Sequence, residues 1–500
     1  MTTNLDSAAD NIRHVDVAII GAGTAGQNAF RQARKTTDNI VIINDGFWTT
    51  TCATVGCMPS KLLIAAANRA HEAHHSEAFG IHADVKIDGQ QVMARVQAER
   101  NHFASLVKQQ VEGWPASEKI AGRAHINRDG LIVVNDSLIQ AKKIIIATGS
   151  SPFIPEGWAE KLDDRLLTSD NIFELTDLPK SMAVIGAGSI GLELAQAFTR
   201  LGVAVTLFNQ TREVAGLQDT AINDKAIACL SAELTMLLAS EVTEVGCRRQ
   251  NVQLGDDKKE ATESIAVINY IDAEGQANEW CGEYVLVATG RRNTIDKLGL
   301  ENLGVHLDEK NRPLDLDINT GQIGNLSVYI IGDANAHIPL LHVASDEGFS
   351  AGSAVCDHNK DAYIRPPAIP LSIVFCEPQI INVGMSQAEI ETAEREYVIG
   401  KASFDNQGRS RVMGVNCGLL HIYGCKQTDR VLGASMVGPD AEYIAHILAL
   451  AITNDLTIKD LLDSPFYHPT ILEGLRTALR DMQAQLDIPH QPQQTEQDGF

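Results

Sequence analysis

The chain has 500 residues with 41 basic and 64 acidic side chains, a formal charge of −23 with histidine neutral. So acidic a balance excludes a protein whose affinity rests on lysine and arginine against phosphate, and no nucleic acid is expected as partner. With 39 glycines, 16 prolines and no period, collagen and coiled coil are excluded, and the 44% hydrophobic fraction is ample for about three domains. No apolar run approaches the roughly 18–20 residues that span a bilayer. The opening residues MTTNLDSAADNIRH show no basic stretch ahead of an apolar one. The expectation is therefore a cytoplasmic protein without membrane attachment. Nine cysteines are sparse and odd in number, which fits a reducing compartment where a close pair is catalytic rather than structural.

In chain order, His14-Val-Asp-Val-Ala-Ile-Ile20 predicts a buried strand, followed by Gly21-Ala-Gly23-Thr-Ala-Gly26, a helix to Arg34 and a second strand at Ile40-Val-Ile-Ile43. Residues 61–113 are mostly helical in pattern, and Ile144-Ile-Ile-Ala-Thr-Gly149 reads as a strand ending in a turn. The design then repeats: Met182-Ala-Val-Ile185, Gly186-Ala-Gly188-Ser-Ile-Gly191, a helix to Arg200, Val203-Ala-Val-Thr-Leu-Phe208, and a second strand and turn at Val285-Leu-Val-Ala-Thr-Gly290. Residues 361–370, with Arg365-Pro-Pro367, form a linker, and a helix is expected around 443–453. The tail after Pro489 is polar and expected to be disordered.

A single GxGxxG is as often a tight turn as a nucleotide site. Two of them, each between strand and helix, point to two dinucleotides, with glycines letting the backbone approach a pyrophosphate on the positive end of a helix. A flavin plus a nicotinamide is the natural pairing. The acidic residue usual at the ribose is missing from both, where the strands end Asn44-Asp45 and Asn209-Gln210. Asparagine can bond a diol without repelling a 2′-phosphate. Arg212 is near enough in sequence to meet such a phosphate, or is a solvated surface arginine, and NAD and NADP both stay open.

The most specific stretch is Thr51-Cys52-Ala-Thr-Val-Gly-Cys57-Met-Pro-Ser-Lys61, with four residues between the cysteines. Pro59 suits a first helical turn, so Cys57 is predicted at a helix N-terminus, where the dipole favours a thiolate. A buried structural pair is the plain alternative. Half of a zinc site is another, but no further ligands stand nearby. His468 has Glu473 five positions later, a carboxylate that could orient the ring as a general acid–base. His71, His74 and His75 are expected to lie on a solvated helix face, and no metal is expected.

From residue 15 to 482 the sequence resembles the pyridine nucleotide–disulfide oxidoreductases of the dihydrolipoamide dehydrogenase and glutathione reductase type. The resemblance rests on the two fingerprints, the CATVGCMPSK segment, both Ala-Thr-Gly turns, Val328-Tyr-Ile-Ile-Gly-Asp333, Val431-Leu-Gly-Ala-Ser-Met-Val-Gly-Pro-Asp440 and Tyr467-His468-Pro-Thr-Ile-Leu-Glu473. It implies an α/β fold of two Rossmann-like dinucleotide-binding domains and a C-terminal α+β dimerisation domain. The implied parts are residues 12–156 and 285–360 for FAD, 157–284 for the nicotinamide nucleotide, 366–485 for dimerisation and a tail from 486.

On the same resemblance Gly21, Gly23 and Gly26 would hold the FAD pyrophosphate, with Asn44 or Asp45 near its ribose, Asp333 at the ribityl or pyrophosphate portion, and Thr148 and Gly149 closing over it. Lys61 and Glu193 would pair beside the flavin ring. Gly186, Gly188, Gly191, Asn209 and Gly290 would form the nicotinamide-nucleotide site, and Ala124, Ser150, Val242 and Leu341 would be further cofactor contacts. Cys57 would be the sulfur next to the flavin, Cys52 the one exchanging with substrate, and His468 with Glu473 would serve the disulfide of the other subunit of a homodimer. Thr50-Thr51 stands where glycines are usual before the first cysteine, which should stiffen that loop. The other seven cysteines are expected to be small core residues.

The activity implied is oxidation of dihydrolipoamide by NAD⁺ through a Cys52–Cys57 disulfide and FAD, with lipoamide free or carried on a 2-oxoacid dehydrogenase complex. Mercuric reductases and the large thioredoxin reductases need C-terminal redox groups that this tail lacks. The soluble transhydrogenases, single-cysteine peroxidases and coenzyme A disulfide reductases lack the counterpart of Cys52. An NADPH-dependent reductase of glutathione or another small disulfide is the main alternative. A non-catalytic flavoprotein redox sensor would be expected to have lost one of Cys52, Cys57, His468 or Glu473, and all four are present.

Overall fold

β-Branched, apolar runs become strands where both faces can be covered. In the computed structural model, which describes residues 12–254, 259–355 and 363–486, the strand Ile12–Ile20 runs parallel to Ile40–Asn44 on one side and to Ser137–Ile146 on the other. Its last four residues are buried, as are Ile40, Val41, Ile42 and Ile43 beside them. This two-sided burial is why these strands read as continuous apolar runs rather than as an alternation. Val328–Ile330 extends the same sheet by pairing with Ser137–Ile146.

The repeat builds a second parallel sheet centred on Ser181–Ile185, flanked by Ala204–Phe208 and Tyr284–Val287. A three-stranded antiparallel sheet, Glu241–Leu254, Lys259–Ile271 and Ala277–Gly282, adjoins it in sequence. The helical stretch is two helices, Cys57–His74 and Gly89–Glu112, the second capped by the Asp88 carboxylate accepting from the Gln91 amide at 3.0 Å. On the first, the rings of His71 and His75 stack at 4.0 Å.

Cα packing groups the chain into two compact units. One holds the residues up to Thr211 together with Met236–Ala368; the other holds Arg212–Thr235 and the residues from Ile369 onward. The second unit therefore includes the helix Thr220–Leu230, which lies within the stretch the sequence assigns to nicotinamide binding. Its sheet is antiparallel, in the order Leu371–Val374, Gln379–Gly384, Val431–Gly438, Leu419–Cys425, Tyr397–Ser403. Alternation along Leu419–Cys425 puts Leu420 and Ile422 into a core with Ile444, Leu448, Leu475 and Leu479 of the helices Ala441–Thr453 and Glu473–Gln485. His421 and Tyr423 project to the opposite face, where both meet Asp219, the N-cap of Thr220–Leu230.

Residues 363–370 carry no helix or strand, and the polar tail lies outside the described residues. The cysteines depart from expectation. Cys376 and Cys425 are buried, but Cys247 and Cys281 are exposed, because their antiparallel sheet leaves residues open to solvent. Cys229 and Cys417, 188 residues apart, form a disulfide. Cys356 lies outside the described residues.

Candidate active site

The first glycine loop follows from close approach. Gly21 has φ +104°, and a Cβ there would lie 2.3 Å from the Ala147 carbonyl oxygen, while one on Gly26 would lie 2.0 Å from that of Gly21. A Cβ on Gly23 would meet nothing within 4 Å, so space opens on its face. That space belongs to a cavity of about 430 Å³ whose wall includes Gly21, Gly23, Asn44, Asp45, Ala124, Thr148, Gly149 and Ser150. Gly26 lies behind it, packed on Gly21.

The wall suits a dinucleotide. The helix Thr24–Ala33 starts at Gly23 with no side-chain cap, leaving amides for an anion. The Thr148 hydroxyl is buried with no hydrogen-bond partner among the described residues. Arg123, Arg291 and Lys297 also line the cavity and were not singled out by sequence reasoning, although Arg291 directly follows the second Ala-Thr-Gly turn. These residues fit FAD. Asn44 does not simply face it: its Oδ1 accepts from the Ala22 amide at 3.1 Å and its Nδ2 donates to the Phe47 carbonyl at 3.1 Å, tying the strand end to the glycine loop.

Asp333 sits in the turn Gly332–Asn335 and accepts from the Ser150 hydroxyl at 2.6 Å. Arg291 holds Ser150 through Oγ at 2.9 Å and the carbonyl at 2.7 Å. From the other side Glu347 Oε2 accepts from the Gly332 amide at 2.6 Å and Asn335 Nδ2 at 2.9 Å. Burial pushes the Glu347 carboxyl up to about 7, and the charge of Asp333 adds to that. Leu341 is the exposed first residue of the helix Leu341–Ala354.

The second loop repeats the first. Gly186 has φ +109° with its Cβ position 2.5 Å from the Ala288 carbonyl oxygen, and that of Gly191 lies 1.8 Å from the Gly186 oxygen. Gly188 starts the helix Ser189–Arg200 without a side-chain cap, and its Cβ position is open. Asn209 Oδ1 accepts from the Ala187 amide at 3.0 Å, as Asn44 does from Ala22. Gly290 has φ +111°. Val242 packs its side chain against the apolar cluster under this sheet. Arg212 pairs with Asp224 at 2.9 Å.

Cys52 lies in the short helix Thr51–Thr54, which Thr50 caps by accepting from the Ala53 amide at 3.2 Å. Cys57 is the first residue of its helix, as the placement of Pro59 predicts. The two thiols are inequivalent. The hydrogen bond from Cys52 pulls the Cys57 thiol down to about 6 against the opposing effect of burial, with the Lys61 ammonium helping, while Cys52 is driven up by that same bond and by burial. Lys61 forms an ion pair with the buried Glu193 at 2.7 Å.

In the C-terminal unit His468 Nδ1 meets both Glu473 oxygens, at 3.0 and 3.1 Å, and the His468 side chain is 78% exposed, so its far nitrogen is free to face outward. The bond to His468 holds the Glu473 carboxyl below its ordinary value. Thr470 donates its amide to Glu473 at 3.2 Å, bracing the turn.

Residues 15–348 match the family described as pyridine nucleotide-disulphide oxidoreductase, and residues 370–479 match its dimerisation domain. The chain belongs to this family. Within it, dihydrolipoyl dehydrogenase of Chlamydia pneumoniae is 31% identical over 465 residues, covering 92% of this chain and 95% of the relative. That of Geobacillus stearothermophilus is 29% identical over 467 residues, covering 92% and 94%. Among solved structures, the HOCl-induced flavoprotein disulfide reductase RclA from Escherichia coli superposes with a TM-score of 0.74 at 21% identity, covering 94% of this chain and 99% of that one. LpdA from Mycobacterium tuberculosis gives 0.73 at 22% identity, covering 93% and 99%. The fold is that of the flavoprotein disulfide reductases, an enzyme class that works with FAD and NAD(P). The dimerisation domain fits a homodimer acting on a small dithiol or disulfide. Among the described residues no helix is long and apolar enough to cross a membrane.

Proposed function

We propose that this flavoprotein disulfide oxidoreductase oxidises dihydrolipoamide to lipoamide with NAD⁺. The observation that carries the reading is the pair of Cys52 in the short helix Thr51–Thr54 and Cys57 at the start of the next helix, with Lys61 one turn on and paired to Glu193, in a chain 31% identical to a dihydrolipoyl dehydrogenase. A substrate thiolate attacks Cys52 Sγ of the Cys52–Cys57 disulfide, and Cys57, the better thiolate, is the leaving group. The second substrate thiol then attacks the sulfur bound to Cys52, closing the substrate disulfide and releasing Cys52. His468, oriented by Glu473, takes up the proton of the attacking thiol in a second copy of the chain. FAD held by the first glycine loop, Thr148 and Asp333, and the nicotinamide held by the second loop, would supply the route for the electron pair.

The relatives named dihydrolipoyl dehydrogenase support this substrate. An NADPH-dependent reductase of a small disulfide is the second reading. It is favoured by Asn209, which places an amide bonded to its own loop where a carboxylate would repel a 2′-phosphate. Two initial-rate assays on flavin-loaded protein separate them: NAD⁺ reduction by dihydrolipoamide, and NADPH oxidation by glutathione disulfide. Turnover in the first alone is expected, and is lost in Cys52→Ser. Turnover only in the second overturns the lipoamide reading, and turnover with no disulfide would favour a sensor.

A further inference from the structure

The Cys229–Cys417 bond has no place in the reaction above. It joins the helix Thr220–Leu230 to the turn that precedes Leu419–Cys425, with Cα atoms 6.2 Å apart, within the span a disulfide bridges. Both cysteines are half-buried rather than sealed in the core. The helix does not depend on it alone. Asp219 at its start accepts from the Tyr423 hydroxyl at 2.9 Å and meets His421 Nδ1 at 2.6 Å, and Lys225 on the helix pairs with Asp405 at 2.7 Å. Reduction would therefore open the cross-link without releasing the helix.

Residues 404–417 lie between this helix and the loop that carries His468. Asp405 takes Lys225 on one side, and Asn416 Nδ2 closes the segment by donating to the Asp405 carbonyl at 3.0 Å. Gln407 Nε2 donates to the Thr470 carbonyl at 2.7 Å, while Gln407 Oε1 accepts from the Ser410 amide at 2.8 Å. A Cβ on Gly474 would lie 2.5 Å from the Phe404 ring, so the ring packs directly on the residue after Glu473.

We infer that Cys229 and Cys417 form a reversible thiol–disulfide site whose closed state braces residues 404–417 and, through Gln407 and Phe404, the loop holding His468 and Glu473. The inference rests on the role proposed for that loop. To close the site, the thiolate of one cysteine attacks a small disulfide RSSR and releases RS⁻. The other cysteine then attacks the mixed disulfide at the protein sulfur, forming Cys229–Cys417 and releasing the second RS⁻. Two electrons pass from the cysteine pair to RSSR, and the two thiol protons end on two RSH. A dithiol drives the reverse.

The test uses full-length, flavin-loaded protein equilibrated in mixtures of reduced and oxidised dithiothreitol, acid-quenched, alkylated and mapped by peptide mass. Cys229 and Cys417 are expected to change state together and reversibly with the circular dichroism unchanged. Hydrogen exchange of residues 466–474 is expected to quicken about threefold or more when the bond opens. In C229S/C417S it should be fast in every mixture; Cys229→Ser alone replaces the double variant if that does not fold. A bond that opens only on unfolding, an opening with no change at 466–474, or a buffer effect that survives in the variant overturns the inference. Neither readout needs turnover, so a failed lipoamide assay counts against the proposed function and not against this site.

Discussion

The two glycine loops share a backbone and differ in what they leave unsatisfied. Both place a positive-φ glycine against the carbonyl of an Ala-Thr-Gly turn, both pack a third glycine on the first, and both are tied down by an asparagine at the end of the following strand. In the first turn the Thr148 hydroxyl is buried and unpartnered among the described residues. In the second, Thr289 is exposed and donates to the Phe153 carbonyl at 2.8 Å. The first loop also opens onto a cavity with three cations in its wall. A buried hydroxyl without a partner costs roughly 1–3 kcal/mol unless a ligand satisfies it. Both copies leave helix-start amides uncapped, so we read the first, with its unpartnered hydroxyl, as suited to a group that stays and the second, whose threonine is already bonded, as suited to one that comes and goes.

Gly191→Ala puts the sharpest strain on this contrast, because its Cβ would lie 1.8 Å from the Gly186 oxygen. The KM for the nicotinamide should rise about 100-fold or more, near 2.7 kcal/mol, with flavin content unchanged. Gly26→Ala, 2.0 Å from the Gly21 oxygen, should instead abolish flavin content, read as visible absorbance per polypeptide. Flavin loss in both variants would break the comparison.

Thr148→Val should raise the FAD dissociation constant about 5–30-fold, while Thr289→Val leaves it unchanged, both read by flavin fluorescence on dilution. The smallest effect belongs to Glu347→Gln. The carboxyl titrates near 7 in the folded protein against 4.5 ordinarily. Folding therefore takes up a proton between those values, and the group opposes folding increasingly as pH rises through that window, most of all above 7. The glutamine variant should gain on the order of 1 kcal/mol at pH 8 in denaturant unfolding, with the gain gone near pH 4.

What the sequence made legible is what short spacing determines. Cys57 begins its helix because Pro59 follows two residues later, and His468 meets Glu473 within one turn of chain. The glycine loops were readable because the tight turn and its close carbonyl leave room for no other residue. Arg123, Arg291 and Lys297 reach one cavity from separate stretches of chain, and no local pattern announces that. Asn44 and Asn209 are expected near the riboses, and no local pattern announces that each also bonds its own loop. The Cys229–Cys417 bond and the Asp219–His421 contact span 188 and 202 residues. They depend on Arg212–Thr235 packing with the C-terminal sheet, which no periodicity encodes.

The claim on which the rest depends is the inequality of the two active-site thiols, and thiolate absorbance against pH tests it directly. The full-length protein would be titrated as Cys52→Ser and as Cys57→Ser, with C52S/C57S as the baseline for the other cysteines. In Cys52→Ser the Cys57 sulfur, first in its helix and favoured by the Lys61 ammonium, should ionise below the ordinary thiol range. In Cys57→Ser the Cys52 sulfur, which burial raises, should ionise at the higher pH of the two. The same titration in both variants, or a lower midpoint for Cys52, would contradict the roles given to the pair.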